Sequence, residues 1–254
     1  MAKEKQMAQI TGVSRISEGI FSMWVRTEMA KAAKPGQFVS LYCKNGDRIL
    51  PRPISICEID RTQGLFRFVY RIVGGGTKEF ASYQPGEEIA ILGPLGNGFP
   101  LKNEKAVLIG GGIGIPPMLQ LAKELPGDVT VVLGYRDGDL FLAKEFEPYA
   151  TVVVSTEDGS KGTRGNVIDA ILEKGITADV FYACGPTPML RGVKQYSEKQ
   201  GIPAYLSLEE RMACGIGACL ACVCQSTHVD EHSNVYNKRV CKDGPVFLST
   251  NVEI

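Results

Sequence analysis

The chain has 254 residues, of which 44% are apolar and 22% charged, and its 28 basic residues are matched by 28 acidic ones. So even a balance gives no electrostatic footprint for nucleic acid or an anionic membrane surface, and the length suits one large domain or two to three small ones. No stretch reaches the roughly 18 apolar residues of a membrane helix, and the opening MAKEKQMAQI lacks a signal-peptide apolar run, so a cytoplasmic location is expected.

Residues 1–100 read as many short strands, among them 21–26, 37–43, 53–59 and 65–69. They are punctuated by the turn signals Pro35-Gly36, Asn45-Gly46, Pro85-Gly86 and Gly93-Pro94. Short strands at this spacing predict an antiparallel barrel. Within it, Arg52-Pro53-Ile54-Ser55 closes one strand region and opens the next. An Arg there can pair with a pyrophosphate and a Ser can bond a flavin ring edge, although an Arg-Pro turn with a strand-edge Ser explains the same letters. Tyr70-Arg71-Ile72-Val73-Gly74-Gly75-Gly76-Thr77 then runs into the helical start Lys78-Glu79-Phe80, which makes either a phosphate cradle or a flexible loop.

Near residue 105 the pattern changes. The apolar run Ala106 to Ile109 leads into Gly110-Gly111-Gly112-Ile113-Gly114-Ile115-Pro116-Pro117 and a helical segment over 118–125. Further buried-strand runs at 129–134, 151–154 and 179–183, with a helix over 167–173, predict a parallel sheet wound in the nucleotide-binding manner. The strand–glycine–helix order brings backbone close to a dinucleotide phosphate, but the prolines at the helix start depart from G-x-G-x-x-G. Cys184-Gly185-Pro186 ends another strand, at the sheet edge where such folds bind ligands. A thiol there can touch a nicotinamide ring, or simply fill space as a small buried hydrophobe.

Eight cysteines are many for a chain in a reducing compartment, and five of them, Cys214, Cys219, Cys222, Cys224 and Cys241, crowd into the last fifth. Cys214, Cys219 and Cys222 with the distant Cys241 form C-x4-C-x2-C…C, the spacing of plant-type [2Fe–2S] sites. Zinc is the competing reading, but zinc sites more often show paired C-x2-C halves. Cys224 lies two residues past Cys222, where a second ligand would crowd a cluster, and reads as a packed thiol. A Gly- and Cys-rich tail of under fifty residues has too little core to stand without such a staple. His228 and His232 fall in its polar stretch and read as solvated.

Taken in order, the Arg-Pro-Ile-Ser segment, the GGGT loop, the GGGIGIPP loop and the Cys-Gly-Pro strand end resemble the ferredoxin–NADP reductase superfamily. The tail from Glu209-Glu-Arg-Met-Ala-Cys214 to Cys224, with Val240-Cys241-Lys-Asp-Gly-Pro-Val-Phe247, resembles the electron-transfer subunits of NAD-dependent (class 1B) dihydroorotate dehydrogenase. The resemblance spans essentially the whole chain. It implies an antiparallel flavin-binding β-barrel domain (1–100), a parallel-sheet NAD-binding α/β domain (101–207) and a small C-terminal iron–sulfur domain (208–254). It implies FAD on Arg52, Pro53, Ile54, Ser55, Val69, Tyr70, Arg71, Gly76 and Thr77. NAD(H) is expected as substrate along Gly110, Gly111, Gly112, Gly114, Cys184, Gly185 and Pro186, and the cluster on Cys214, Cys219, Cys222 and Cys241. Ser55, Cys184 and Glu209 are the catalytic candidates, with no acid–base dyad among them. The implied partner is an FMN-containing dihydroorotate-oxidising subunit, two of each per assembly. The alternative is a diaphorase subunit of another flavin and iron–sulfur oxidoreductase. NAD is expected over NADP because Asp137 and Asp139 follow Arg136 where a 2′-phosphate site would want cations.

Overall fold

The computed structural model describes residues 5–44, 46, 48–229 and 234–254; Asn45 of the Asn45-Gly46 turn and His232 lie outside the described residues. Six strands, β1 (Lys5–Ser17), β2 (Ile20–Arg26), β3 (Phe38–Tyr42), β4 (Arg52–Asp60), β5 (Leu65–Arg71) and β6 (Glu88–Leu95), close into a barrel. A short helix, α1 (Gly75–Phe80), lies between β5 and β6. The order around the barrel is β1-β2-β5-β4-β3-β6, antiparallel throughout. Closure leaves no unpaired edge. The alternation of β3 decides what lies on each side. Val39 and Leu41 join Phe66, Phe68 and Ile91 in the barrel core, whereas Phe38 and Tyr42 pack outward against the tail.

The second sheet collects β7 (Ala106–Gly111), α2 (Pro116–Glu124), β8 (Val129–Tyr135), α3 (Ala143–Phe146), β9 (Thr151–Thr156), β10 (Thr163–Arg164), α4 (Val167–Glu173), β11 (Val180–Cys184), α5 (Thr187–Gln200) and β12 (Ala204–Ser207). Every residue of β7 is buried, as expected for a parallel strand covered on both faces. Pro116 begins α2, where the missing N–H is no loss. Asn166 caps α4, its Oδ1 accepting from the N–H groups of Ile168 and Asp169 while the Asp169 carboxylate accepts from Asn166 N–H.

The tail forms the two-stranded ribbon β13 (Val223–Gln225) and β14 (Asn237–Arg239), and then β15 (Val246–Leu248). β15 adds antiparallel to β12, so the order of the large sheet is β10-β9-β8-β7-β11-β12-β15. The barrel meets this sheet through a buried apolar cluster, in which Ile20, Cys57 and Val69 join Leu108, Met118 and Leu121, and through charged and polar contacts. Arg67 of β5 pairs with Glu58 at 2.6 Å and reaches Glu145 of α3; Lys123 of α2 pairs with Glu58; and Gln120 Oε1 accepts the Ile59 N–H at 2.7 Å. Both Arg67 and Glu58 are nearly buried, so removing one partner would strand the other.

Candidate functional site

A cleft of about 320 Å³ opens on the barrel where β4, β5 and the start of α1 face residues 207–212 and Pro245. Arg52, Pro53, Ile54, Ser55, Val69, Tyr70, Arg71 and Thr77 all line it, so segments far apart in sequence share one wall. Gly76 lies directly under Arg52: a Cβ there would sit 2.3 Å from Arg52 Nε. Arg48 lies the same way over Gly75, and it pairs with Glu79 at 2.8 Å. Thr77 Oγ1 accepts the Val73 N–H at 3.0 Å and so holds the glycine loop in place. Two guanidinium groups over a glycine-opened helix start suit a pyrophosphate. The rest of the wall is largely apolar, with Phe38, Ile54, Val69, Ile113, Leu208 and Met212, and suits a flat ring. Tyr70 is buried, and its hydroxyl has no hydrogen-bond partner among the described residues. Burial pushes its pKa up, so the group stays a donor. A buried hydroxyl without a partner costs about 1–3 kcal/mol, which a bound polar ligand would relieve.

The nucleotide motifs meet at the neighbouring sheet edge. β7 and β11 are paired, with Gly110 opposite Cys184. A Cβ on Gly114 would sit 2.4 Å from Cys184 O, and one on Gly111 would sit 2.4 Å from Met189 Sδ. At Gly114 the opposing atoms are backbone, so only glycine lets the turn after β7 approach the end of β11 so closely, whereas at Gly111 the opposing atom is the flexible Met189 side chain. A second cleft of about 440 Å³ is lined by Gly185, Pro186, Thr187, Arg191, Cys224 and the C-terminal Ile254. Leu208, Glu209 and Glu210 line both clefts. Glu209 is reachable through these openings yet hemmed in by protein, and that desolvation raises its pKa. Cys184 is buried behind them. Desolvation first, and then the nearby Glu209 charge, keep its thiol neutral, while Ser207 hydrogen-bonds it.

The thiols of Cys214, Cys219, Cys222 and Cys241 form two pairs. The Cys219 side chain hydrogen-bonds Cys214, whereas Cys222 Sγ accepts from Cys241, both from its thiol and from its N–H at 3.4 Å. The Cys214 and Cys241 charges sense each other across the pairs. Desolvation raises the Cys214 pKa, but N–H groups of Ile216, Cys219 and Ala218 outweigh it and bring the thiol down to about 6. Burial and the Cys222 contact push Cys241 up to about 12. Among the described residues no three His, Cys, Asp or Glu side chains converge as a single metal ion requires. Two thiol pairs, the second joining the loop to the turn after β14, suit a two-iron unit, in which each iron takes two protein sulfurs, better than one tetrahedral zinc. Gly217 has φ +87°, and a Cβ there would sit 2.7 Å from Lys242 Cδ, so the loop is built around it. Asn97 fastens this loop to the barrel by donating to Lys242 O (3.3 Å) and Asp243 O (3.0 Å). Cys224 is half-buried, apart from these pairs, and its pKa is raised to about 11, chiefly by desolvation.

Met212 and Pro245 line the flavin-sized cleft, two residues before Cys214 and four after Cys241. The Cα atoms of Met212 and Cys214 are therefore within about 7 Å of each other. Sequence reasoning did not single out Phe38, Arg48, Met212 or Pro245. Met212 and Pro245 carried a signal, their places inside the cysteine motifs of the tail.

Comparison with known proteins agrees with this geometry. Residues 209–253 match the family described as the iron–sulfur cluster binding domain of dihydroorotate dehydrogenase B, and residues 108–195 match the oxidoreductase NAD-binding domain. A dihydroorotate dehydrogenase B (NAD(+)) electron transfer subunit of Geobacillus kaustophilus is 46% identical over 228 residues, 86% of each chain. One from Fusobacterium nucleatum is 42% identical over 254 residues, 94% of this chain and 95% of its own. Among solved structures, an NADH-dependent reduced ferredoxin-NADP oxidoreductase studied for electron bifurcation superposes with a TM-score of 0.87 at 31% identity, over 97% of this chain and 89% of that one. A ferredoxin NADP+ reductase from Neisseria gonorrhoeae, with a TM-score of 0.65 at 18% identity over 79% of this chain and 93% of that one, shares the fold. The sequence relatives at 42–46% identity leave the alternative of another diaphorase not favoured.

Proposed function

This chain belongs to the family of dihydroorotate dehydrogenase B (NAD(+)) electron transfer subunits, and from that premise we propose how its residues perform the task. It passes electrons between the FMN of a catalytic partner subunit and NAD(H), in a cytoplasmic assembly of two copies of each subunit that serves pyrimidine synthesis. The single observation that carries this reading is adjacency: the paired thiols lie a few residues along the chain from the cleft-lining Met212 and Pro245. Bound flavin exchanges a hydride in one step and single electrons in two, and a bound cluster takes single electrons.

The protein's part is to bind, orient and exclude water. Arg52, with Arg48 beside it, neutralises the FAD pyrophosphate over Gly75, Gly76 and Thr77. Ser55 and the Tyr70 hydroxyl bond the polar edges of FAD, and Val69 and Arg71 wall it in. Cys214, Cys219, Cys222 and Cys241 would hold the two irons of the cluster. The nicotinamide nucleotide lies along Gly110 to Gly114 and Cys184 to Pro186, with the neutral Cys184 thiol as an apolar backing. Glu209, shared by both clefts, places a carboxyl group where they join. NADP is disfavoured because exposed Arg136 is followed by Asp137, whose carboxylate accepts the Asp139 N–H at 3.0 Å, so a 2′-phosphate would meet carboxylates. Exposed Ile216 and Leu220 on the cysteine loop offer the partner an apolar contact.

Co-expression with the catalytic subunit tests the reading. The complex is expected to reduce NAD+ with dihydroorotate, to prefer NADH over NADPH by KM, and to lose co-purification when Ile216 and Leu220 are both changed to Glu. A complex that forms but couples dihydroorotate only to other acceptors would contradict it.

A further inference from the structure

Beneath the cysteine loop, on the outer face of barrel strand β3, lies a polar group that the mechanism above does not use. Ser40 is fully buried, and its hydroxyl has no hydrogen-bond partner among the described residues. Its position is fixed on both sides, since β3 pairs it with Pro53 of β4 and Leu92 of β6. Proline offers no N–H for a ladder bond. Val39 and Leu41 point into the barrel, so Ser40, between them, points out with Phe38 and Tyr42. What it points at is the turn that follows the first thiol: a Cβ on Gly215 would sit 3.0 Å from Ser40 Oγ. Gly215 has φ +70°, so the loop turns here in a conformation that glycine permits. Two residues along the same face, Tyr42 senses the charge of Cys214, a smaller effect on its raised pKa than desolvation. The loop and this face of β3 thus share one boundary, and Cys214 borders it.

A buried hydroxyl with nothing to bond is unfavourable, and native proteins seldom leave one. Phe38 and Leu95 pack in the same apolar cluster as Cys222 and Cys241, so the surroundings of Ser40 offer little competing polarity. We propose that Ser40 is a positioning residue of the cluster seat, its O–H donating to sulfur, either the Cys214 thiolate or a cluster sulfide. The inference rests on the iron–sulfur reading above. A donor to sulfur favours the more negative, reduced form, so Ser40 raises the cluster's reduction potential. The barrel that binds flavin would thereby also tune the cluster, and no cysteine in the tail would need to change for the potential to move.

The experiment is a potentiometric EPR titration of the cluster in the assembled complex of this chain and its partner, for the parent chain, Ser40→Ala and Ser40→Thr. The expected result is a potential more negative in Ser40→Ala by about a tenfold change in the reduction equilibrium, which is 59 mV for a one-electron couple. Ser40→Thr keeps the hydroxyl and should return most of that shift. Pulsed EPR of the reduced cluster in D2O should show one exchangeable proton fewer in Ser40→Ala, with iron content and flavin absorbance unchanged. An unchanged potential and an unchanged proton count in a fully loaded Ser40→Ala complex would overturn the inference. If the parent complex holds no iron or gives no cluster signal, it is the iron–sulfur reading that fails.

Discussion

The barrel and the cysteine tail touch each other but are held together by different forces. The barrel closes on itself, and Phe66, Phe68, Met23 and Ile91 are wholly buried inside it. Burying each such side chain is worth about 1.5–3 kcal/mol, so the barrel has its own reason to fold. The tail has only short strands and leaves Ile216, Leu220, Val235 and Tyr236 exposed. It is held by its neighbours: Asn97 from the barrel bonds it, β15 pairs with the edge of the large sheet, and Val240, Phe247 and Val252 bury themselves in the cluster of that sheet, while Arg239 with Asp243 at 3.1 Å ties it locally. The difference teaches that one cofactor fills a finished vessel, while the other completes its own container.

The sharpest way to break this comparison is to remove a ligand. Cys222→Ser is expected to abolish iron binding and its visible absorbance, and to expose residues 209–243 to limited proteolysis. FAD should remain, and so should NADH oxidation with an artificial acceptor. If flavin leaves with the iron, the two regions are not independent.

A smaller effect, on the barrel side, should follow Arg67→Met. The change leaves Glu58 nearly buried with Lys123 as its remaining cation and severs the bond to Glu145. A loss of about 3 kcal/mol is expected, seen as a lower melting temperature with the iron content unchanged. Gly217→Ala should cost about 1–2 kcal/mol within the tail alone, because φ +87° and Lys242 both oppose a Cβ. Here iron occupancy should fall while the melting of the barrel holds. The smallest expected effect is that of Tyr70→Phe. It removes the hydroxyl that lacks a partner, so FAD should bind about 3- to 10-fold more weakly by titration, the range of one hydrogen bond, with no loss of stability in the flavin-free chain.

How much of this could be read beforehand depended on distance along the chain. The cysteine spacing lies within a few dozen residues, and its chemistry was legible before any fold was known. The apolar runs of β7, β8 and β11 were equally plain, since strands buried on both faces are uninterrupted. β1, with Gly12 near a bulge and much of its length exposed, carried no alternation strong enough to mark it. α5 went unmarked because its sequence, TPMLRGVKQYSEKQ, buries only Leu190, Val193 and Ser197. The cleft joins Phe38, Arg52, Tyr70, Met212 and Pro245 only once the barrel has closed and the tail has folded back. That closure depends on long-range pairing, which no local pattern encodes. The joining of β15 to β12 is of the same kind: three residues from the tail extend a sheet begun more than a hundred positions earlier.

The central claim is that four paired thiols and a barrel cleft hold a [2Fe–2S] cluster and FAD side by side. The most direct test is elemental and flavin analysis of the anaerobically purified chain, with EPR of the dithionite-reduced sample. The account predicts two iron and two sulfide per FAD, and a low-temperature signal from one reduced binuclear centre that is lost in Cys222→Ser. Stoichiometric zinc in place of iron, or a colourless protein with neither flavin nor iron, would contradict it.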